Sequence, residues 1–166
     1  VTKRLVEKKE AMSCAEWSET SRATGNVTFT ACSRDGQPIA WMLEGVRVPF
    51  EPSVFGGDGS ETRVNICFSD VSEEIKAQLT AMEQSIHATT SCIKEDALKC
   101  KISRDKVRTY DASKTRCELP DTMRDWTVNA RVHLRGKWAT RQGCGLSLEV
   151  TDLQLKCQQT RTLCPF

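Results

Sequence analysis

Residues 126–138 alternate strictly between two chemistries. Trp126, Val128, Ala130, Val132, Leu134, Gly136 and Trp138 occupy the even positions, and Thr127, Asn129, Arg131, His133, Arg135 and Lys137 the odd ones. Successive side chains of a strand point to opposite faces. The pattern therefore predicts a long β-strand with an apolar face and a face carrying Arg131, His133, Arg135 and Lys137 in a row. No acid interrupts that row. A basic stripe with an aromatic residue at each end suits a polyanion. The formal net charge is only +2, so any attraction to phosphate must come from local segregation of charge rather than from the total.

A chain of 166 residues with 39% hydrophobic and 28% charged residues is expected to be one soluble globular domain able to bury its own core. No apolar run reaches the roughly 20 residues of a membrane span. The first ten residues carry Lys3, Arg4, Lys8 and Lys9 with Glu7 and Glu10 and no apolar signal core. An intracellular protein with no membrane partner is expected. The nine cysteines, Cys14, Cys32, Cys67, Cys92, Cys100, Cys117, Cys144, Cys157 and Cys164, are odd in number and contain no CxxC pair. Only His87 and His133 are available as further ligands. No metal site and no cofactor are expected. The cysteines read as reduced thiols acting as small hydrophobes in the nucleus or cytoplasm. A disulfide-stapled extracellular β-domain is the dissenting alternative.

Along the chain, residues 2–20 are helix-forming in composition but poorly periodic, and residues 1–24 are expected to be a helical or mobile arm. Residues 27–32 read as a short strand, and residues 39–48 as a strand apolar on both faces. On that second strand Trp41 has the opposite parity to Met42, Val46 and Val48, which predicts an outward ring. The glycine-rich residues 55–60 lack the lysine and spacing of a phosphate-binding loop and read as a turn. Residues 62–69 alternate as a strand. Asp70 or Ser72 is the expected N-cap of an amphipathic helix in which Ile75, Leu79, Met82 and Ile86 form the buried stripe. Residues 89–101 are ambiguous, with a broken continuation of the helix as one reading. Residues 106–110 form a strand, and residues 115–119 pair back on it. Residues 146–156 form the last strand. There Leu153 and Leu155 have the opposite parity to Leu146, Leu148 and Val150, which predicts a one-residue bulge near Thr151 and Asp152. Residues 25–157 make up the predicted domain and 158–166 a tail. Several long strands with one inserted helix suit a mainly β, α+β chain built as a small antiparallel barrel closed by a C-terminal hairpin.

No catalytic constellation emerges: there is no nucleophile elbow, no HExxH and no zinc-deaminase ligand set. The chain is expected not to be an enzyme. Nucleic-acid binding has a coherent physical case instead. Phosphate contacts give sequence-tolerant affinity, and rings add stacking. The candidate contacts are Arg131, His133, Arg135 and Lys137, flanked by Arg47, Arg63, Arg108, Tyr110 and Trp41.

Residues 45–70 (GVRVPFEPSVFGGDGSETRVNICFSD), followed by a helix, and residues 128–155 (VNARVHLRGKWATRQGCGLSLEVTDLQL) resemble elements of the OB-fold single-stranded DNA-binding proteins of tailed phages and large DNA viruses. The resemblance covers about two thirds of the chain by element order. It implies an OB-like barrel, single-stranded DNA or RNA as partner, and a place in DNA replication or recombination. Phage members carry an acidic tail that ends in an aromatic residue. Here Phe166 is present but residues 158–165 hold no acid, so a partner-recruiting tail is not implied. The alternative reading is a structural or interaction subunit that offers arm and tail to protein neighbours or to further copies of itself.

Overall fold

The computed structural model describes residues 16–18, 22–54 and 63–158. In chain order the elements are β1 (Glu16–Trp17), β2 (Arg22–Thr24), β3 (Val27–Ser33), β4 (Ile39–Arg47), β5 (Ser53–Val54), β6 (Arg63–Phe68), α1 (Glu73–Ser85), β7 (Ile93–Lys94), β8 (Ala97–Ser103), β9 (Arg108–Tyr110), β10 (Arg116–Cys117), β11 (Trp126–Thr140) and β12 (Gly143–Gln158). Among the described residues the architecture is mainly β and OB-like with one helix inserted among strands, and the sheet is mixed rather than wholly antiparallel as expected, because β12 pairs in parallel with β8 and β9.

The long antiparallel hairpin β11–β12 is the spine. Along one edge of β11, β4 and β3 lie end to end: β4 pairs with residues 127–134 and β3 with residues 136–139. Between them the chain makes a pinched excursion closed by reciprocal 2.9 Å hydrogen bonds between the backbones of Arg34 and Gln37. The far edge of β12 runs parallel to β8 and then to β9. β8 pairs antiparallel with β6, which carries β5 on its other side. Arg47 and Ser69 exchange backbone hydrogen bonds of 3.1 and 2.8 Å. That bridge ties the end of β6 to the end of β4 and brings the sheet round on itself. Leu43, Val46, Ile66, Phe68, Leu98, Ile102, Val128, Val132, Leu134 and Leu153 fill the interior.

Ser72 is the N-cap of α1, its Oγ accepting from the Ile75 amide at 3.3 Å, with Glu73 and Glu74 in the first turn where the helix dipole favours acids. Leu79 and Met82 turn inward. Buried Glu83 accepts from the Ser91 hydroxyl (2.9 Å) and the Cys92 amide (3.1 Å), which staples the helix to the start of β7.

Residues 93–103 form a hairpin, β7–β8, in place of the broken helix that the sequence allows as one reading. Glu95 and Asp96 both adopt positive φ, 52° and 63°, the geometry of a type I′ turn without its usual Asn-Gly. Beyond it Leu98, Cys100 and Ile102 are buried, a strand periodicity that shows only when Cys100 is counted as apolar. Within the expected N-terminal arm, the described pieces are extended rather than helical: β1 and β2 both pair with β3. The remainder of residues 1–24, the glycine-rich loop at 55–60 and nearly all of the tail lie outside the described residues. The β9–β10 hairpin forms as expected. So does the bulge in β12, where Thr151 is the extra residue between the pairs Arg131↔Asp152 and Val132↔Val150. The described cysteines are free thiols, with Cys32, Cys92 and Cys100 buried. Burial and the neighbouring Glu83 carboxylate push the Cys92 thiol up to about 12. Among the described residues, no helix is long and apolar enough to cross a membrane.

Candidate nucleic-acid interface

The outer face of the sheet is built in rows of directly paired residues. Met42 of β4, Arg131 of β11, Asp152 of β12 and Arg108 of β9 make one row. Asn129, Gln154, Tyr110 and Arg116 make the next. Ala40, His133, Glu149, Lys101 and Asn65 make a third on the other side. Over the first two rows lies an open groove of about 390 Å³, lined by Met42, Tyr110, Lys114, Asn129, Arg131 and Gln154 and by two acids, Glu44 and Asp152.

Arg131 lies exposed in this groove. Among the described residues no carboxylate comes within ion-pair distance of it, although Asp152 is its cross-strand neighbour. Asp152 is engaged elsewhere. It holds Arg108 through two contacts, Nε to Oδ1 at 2.7 Å and Nη2 to Oδ2 at 3.1 Å, and accepts from the Thr151 hydroxyl. Arg116 sits 5.9 Å from the Tyr110 ring centroid, which leaves the half-buried ring at the groove with a cation beside it. Met42 is 53% exposed, an apolar surface that a base can cover.

The remaining members of the expected row are placed differently. Arg135 is the extra residue of a bulge, because Leu134 pairs with Leu148 while Gly136 pairs with Ser147. Its Nε lies 2.8 Å from Glu149 Oε2, so its charge is already partnered. Beyond the bulge the parity of β11 reverses. Lys137 turns to the other face, where its amine sits 4.9 Å from the Trp17 ring centroid. The expectation that Lys137 extends the row is thereby corrected. Trp138, expected on the apolar side, takes its place on the outer face beside Asn65, Lys99, Lys101 and Ser147. His133 stays in the row but is half-buried, and among the described residues nothing hydrogen-bonds its Nδ1. Burial, and then the cations Arg135 and Arg131, lower it from the usual histidine range against the opposing pull of Asp152 and Glu149. Lys101, in the same row, is lowered chiefly by burial and by Arg63.

Trp41 is not an outward platform. It is 9% exposed, pairs with Val132, and donates from Nε1 to Gln78 Oε1 of α1 at 2.8 Å. Three steps along β4, from Leu43 to Val46, span two along β11, from Ala130 to Val128, with Gly45 at φ +62°. This bulge resets the parity of β4, so Ile39, Trp41 and Leu43 face in while Met42 and Glu44 face out. The parity argument from sequence thus selects the wrong neighbour, and only Gly45 hints at the slip. Arg47 is half-buried at the barrel closure, its Nε without a partner among the described residues. Arg63 is exposed at the far strands, opposite Ser103. Neither lines the groove.

No protein-family model and no curated protein matches the sequence. Solved structures do match by backbone. A C-terminally truncated single-stranded DNA-binding protein from bacteriophage Enc34 superposes with a TM-score of 0.54 over 87% of this chain and 98% of that one. The fold is that of the phage single-stranded DNA-binding proteins. The sequence identity to that Enc34 protein is 13%. The phage-type fold recurs in gp2.5, a single-stranded DNA-binding protein encoded by bacteriophage T7, with a TM-score of 0.53, 10% identity, and 75% of this chain and 89% of that one covered. The Enc34 protein in complex with single-stranded DNA gives a TM-score of 0.50 at 11% identity, covering 88% of this chain and 99% of that one. At such identities the likeness is one of chain path, and the site has to be argued from this chain's own residues.

Proposed function

We propose that this protein binds single-stranded DNA without strong sequence preference and without chemistry, by laying the strand across the outer face of β4, β11, β12 and β9. The observation that carries the reading is the groove in which Arg131, a guanidinium without an ion-pair partner among the described residues, lies beside Met42 and Tyr110. A phosphate takes the cation, and bases cover the apolar and aromatic surfaces. Asn129 donates to Gln154 Oε1 at 3.0 Å and accepts from the Gly45 amide; each side-chain amide still has an N–H to give, and every base edge offers an acceptor, which suits sequence tolerance. The fold shared with the Enc34 protein, itself seen in complex with single-stranded DNA, supports the same reading.

The test is a titration of labelled oligo(dT) and of a duplex at two salt concentrations. Contact by Lys114 and Arg131, the cations that line the groove, with about two phosphates predicts a slope near −1.4 in log K against log salt. That is a loss of about sevenfold between about 50 and about 200 mM. Affinity that ignores salt, or a preference for duplex, would overturn the proposal.

Of the two acids in the groove, Glu44 and Asp152, the one beside Arg131 supplies a second prediction. Asp152→Asn removes a negative charge next to Arg131 and releases Arg108. Oligonucleotide affinity is expected to rise severalfold with a steeper salt slope. The stability cost should stay within about 1 kcal/mol, since the ion pair is partly exposed. Weaker binding by this variant in the same titration would show that Asp152 positions Arg108 for DNA rather than competing with it.

A further inference from the structure

The outer face holds a second cleft that the groove does not include. It has a volume of about 290 Å³ and opens beside the β12–β8 pairing, lined by Trp138, Asn65, Lys99 and Lys101 together with the apolar Cys100, Leu146 and Leu148, among others. Its size is near the lower limit of ligand-binding clefts, the scale of a single base with its sugar. The Arg135 bulge creates it: by reversing the parity of β11 it carries an indole from the side of the core to the side of the cations. The Trp138 ring is held in place, packing within about 3 Å of where a Cβ on Gly145 would stand. Gly145 is buried, with the Thr90 carbonyl against it as well. A fixed ring in one cleft with the exposed Lys99 is an arrangement that accepts a flat ring and the phosphate attached to it.

Resting on the reading of this face as strand-binding, we infer that the Trp138 cleft is a separate base-holding subsite for the same DNA strand, joined to the Arg131 groove across the His133–Glu149–Lys101 row. Seven positions of β11 separate Arg131 from Trp138, about 20 Å along a strand. Several nucleotides of an extended chain span that distance, within the roughly 4–16 nucleotides that one OB fold covers. The two sites then act as linked modules, so a strand long enough to reach both gains affinity through effective concentration. A short one gains from one site only.

Fluorescence anisotropy with labelled dT4, dT8 and dT12 tests this in the full chain. The wild type is expected to show a step in affinity between the shortest and the longer strands. In Trp138→Ala the ratio of dT12 to dT4 affinity falls about tenfold, the worth of one stacked base. Trp138→Phe restores most of the ratio because a ring is restored. Lys99→Glu, at an exposed position that requires no repacking, lowers the same ratio and guards against a folding defect in Trp138→Ala. Arg131→Ala weakens every length. An unchanged length step in both Trp138→Ala and Lys99→Glu overturns the subsite and leaves the Arg131 groove standing. Failure of the wild type to bind any length overturns both.

Discussion

Arg131→Glu is expected to weaken binding of single-stranded oligonucleotides by about a hundredfold. The guanidinium lies exposed in the groove without an ion-pair partner among the described residues, so its charge is available to a phosphate. A charge-assisted contact is worth about 1.5–3 kcal/mol, and reversing the sign puts repulsion from the introduced carboxylate in place of attraction. Arg135→Glu is the internal comparison. Arg135 is on the same strand and has the same charge, but it is held by Glu149 at 2.8 Å. Its replacement should cost only severalfold. Counting charges would make the two substitutions equivalent; the ion-pair geometry separates them. Anisotropy titrations of both variants, with circular dichroism to confirm folding, decide the matter. If Arg131→Glu retains affinity within about twofold of wild type, the interface lies elsewhere on the molecule.

Gly136→Ala is expected to be the most damaging single methyl in the hairpin. A Cβ at Gly136 would come within 2.1 Å of the Thr30 carbonyl oxygen and 2.9 Å of the Phe29 ring. The first contact is with backbone of the paired strand β3, which cannot rotate away as a side chain would. Either β3 shifts or the bulge rearranges. Overpacking of this kind costs about 3 kcal/mol, equivalent to a fall in Tm of about 6–12 °C for a chain of this size. Thermal unfolding measures it, and a Tm within about 2 °C of wild type would mean that β3 yields more easily than the close approach implies. Because Gly136 also marks the parity change that presents Trp138, the variant should disturb binding of longer oligonucleotides along with stability.

The elements are largely legible because their signals are local. Alternation at 62–69 and 126–138, the cap at Ser72 with its acidic first turn, and the helical stripe of Leu79 and Met82 each follow from neighbours a few residues apart. Even the Thr151 bulge announces itself, since leucines on both sides of it change parity together. The 93–103 hairpin escapes a sequence reading for an equally local reason: Glu95-Asp96 is an unusual occupant of a turn with two positive φ angles, and Cys100 disguises the apolar alternation.

The candidate site is only half legible. Arg131 and His133 lie in the predicted row, and Arg108 and Tyr110 stand on a neighbouring hairpin that returns to the same face. Trp41 and Lys137 turn to the face opposite the expected one, and Met42 and Trp138 replace them, all through bulges that leave little trace in composition. The basic character of residues 126–138, their extended conformation and the inserted helix belong to the sequence by itself, because side-chain period and capping are set by adjacent residues. Which of those cations remains unpaired, and which aromatic ring joins them, is decided only in the assembled sheet. Cross-strand pairing determines where a residue is squeezed out, every residue beyond that point then changes face, and the carboxylates that hold Arg108 and Arg135 arrive from a different strand.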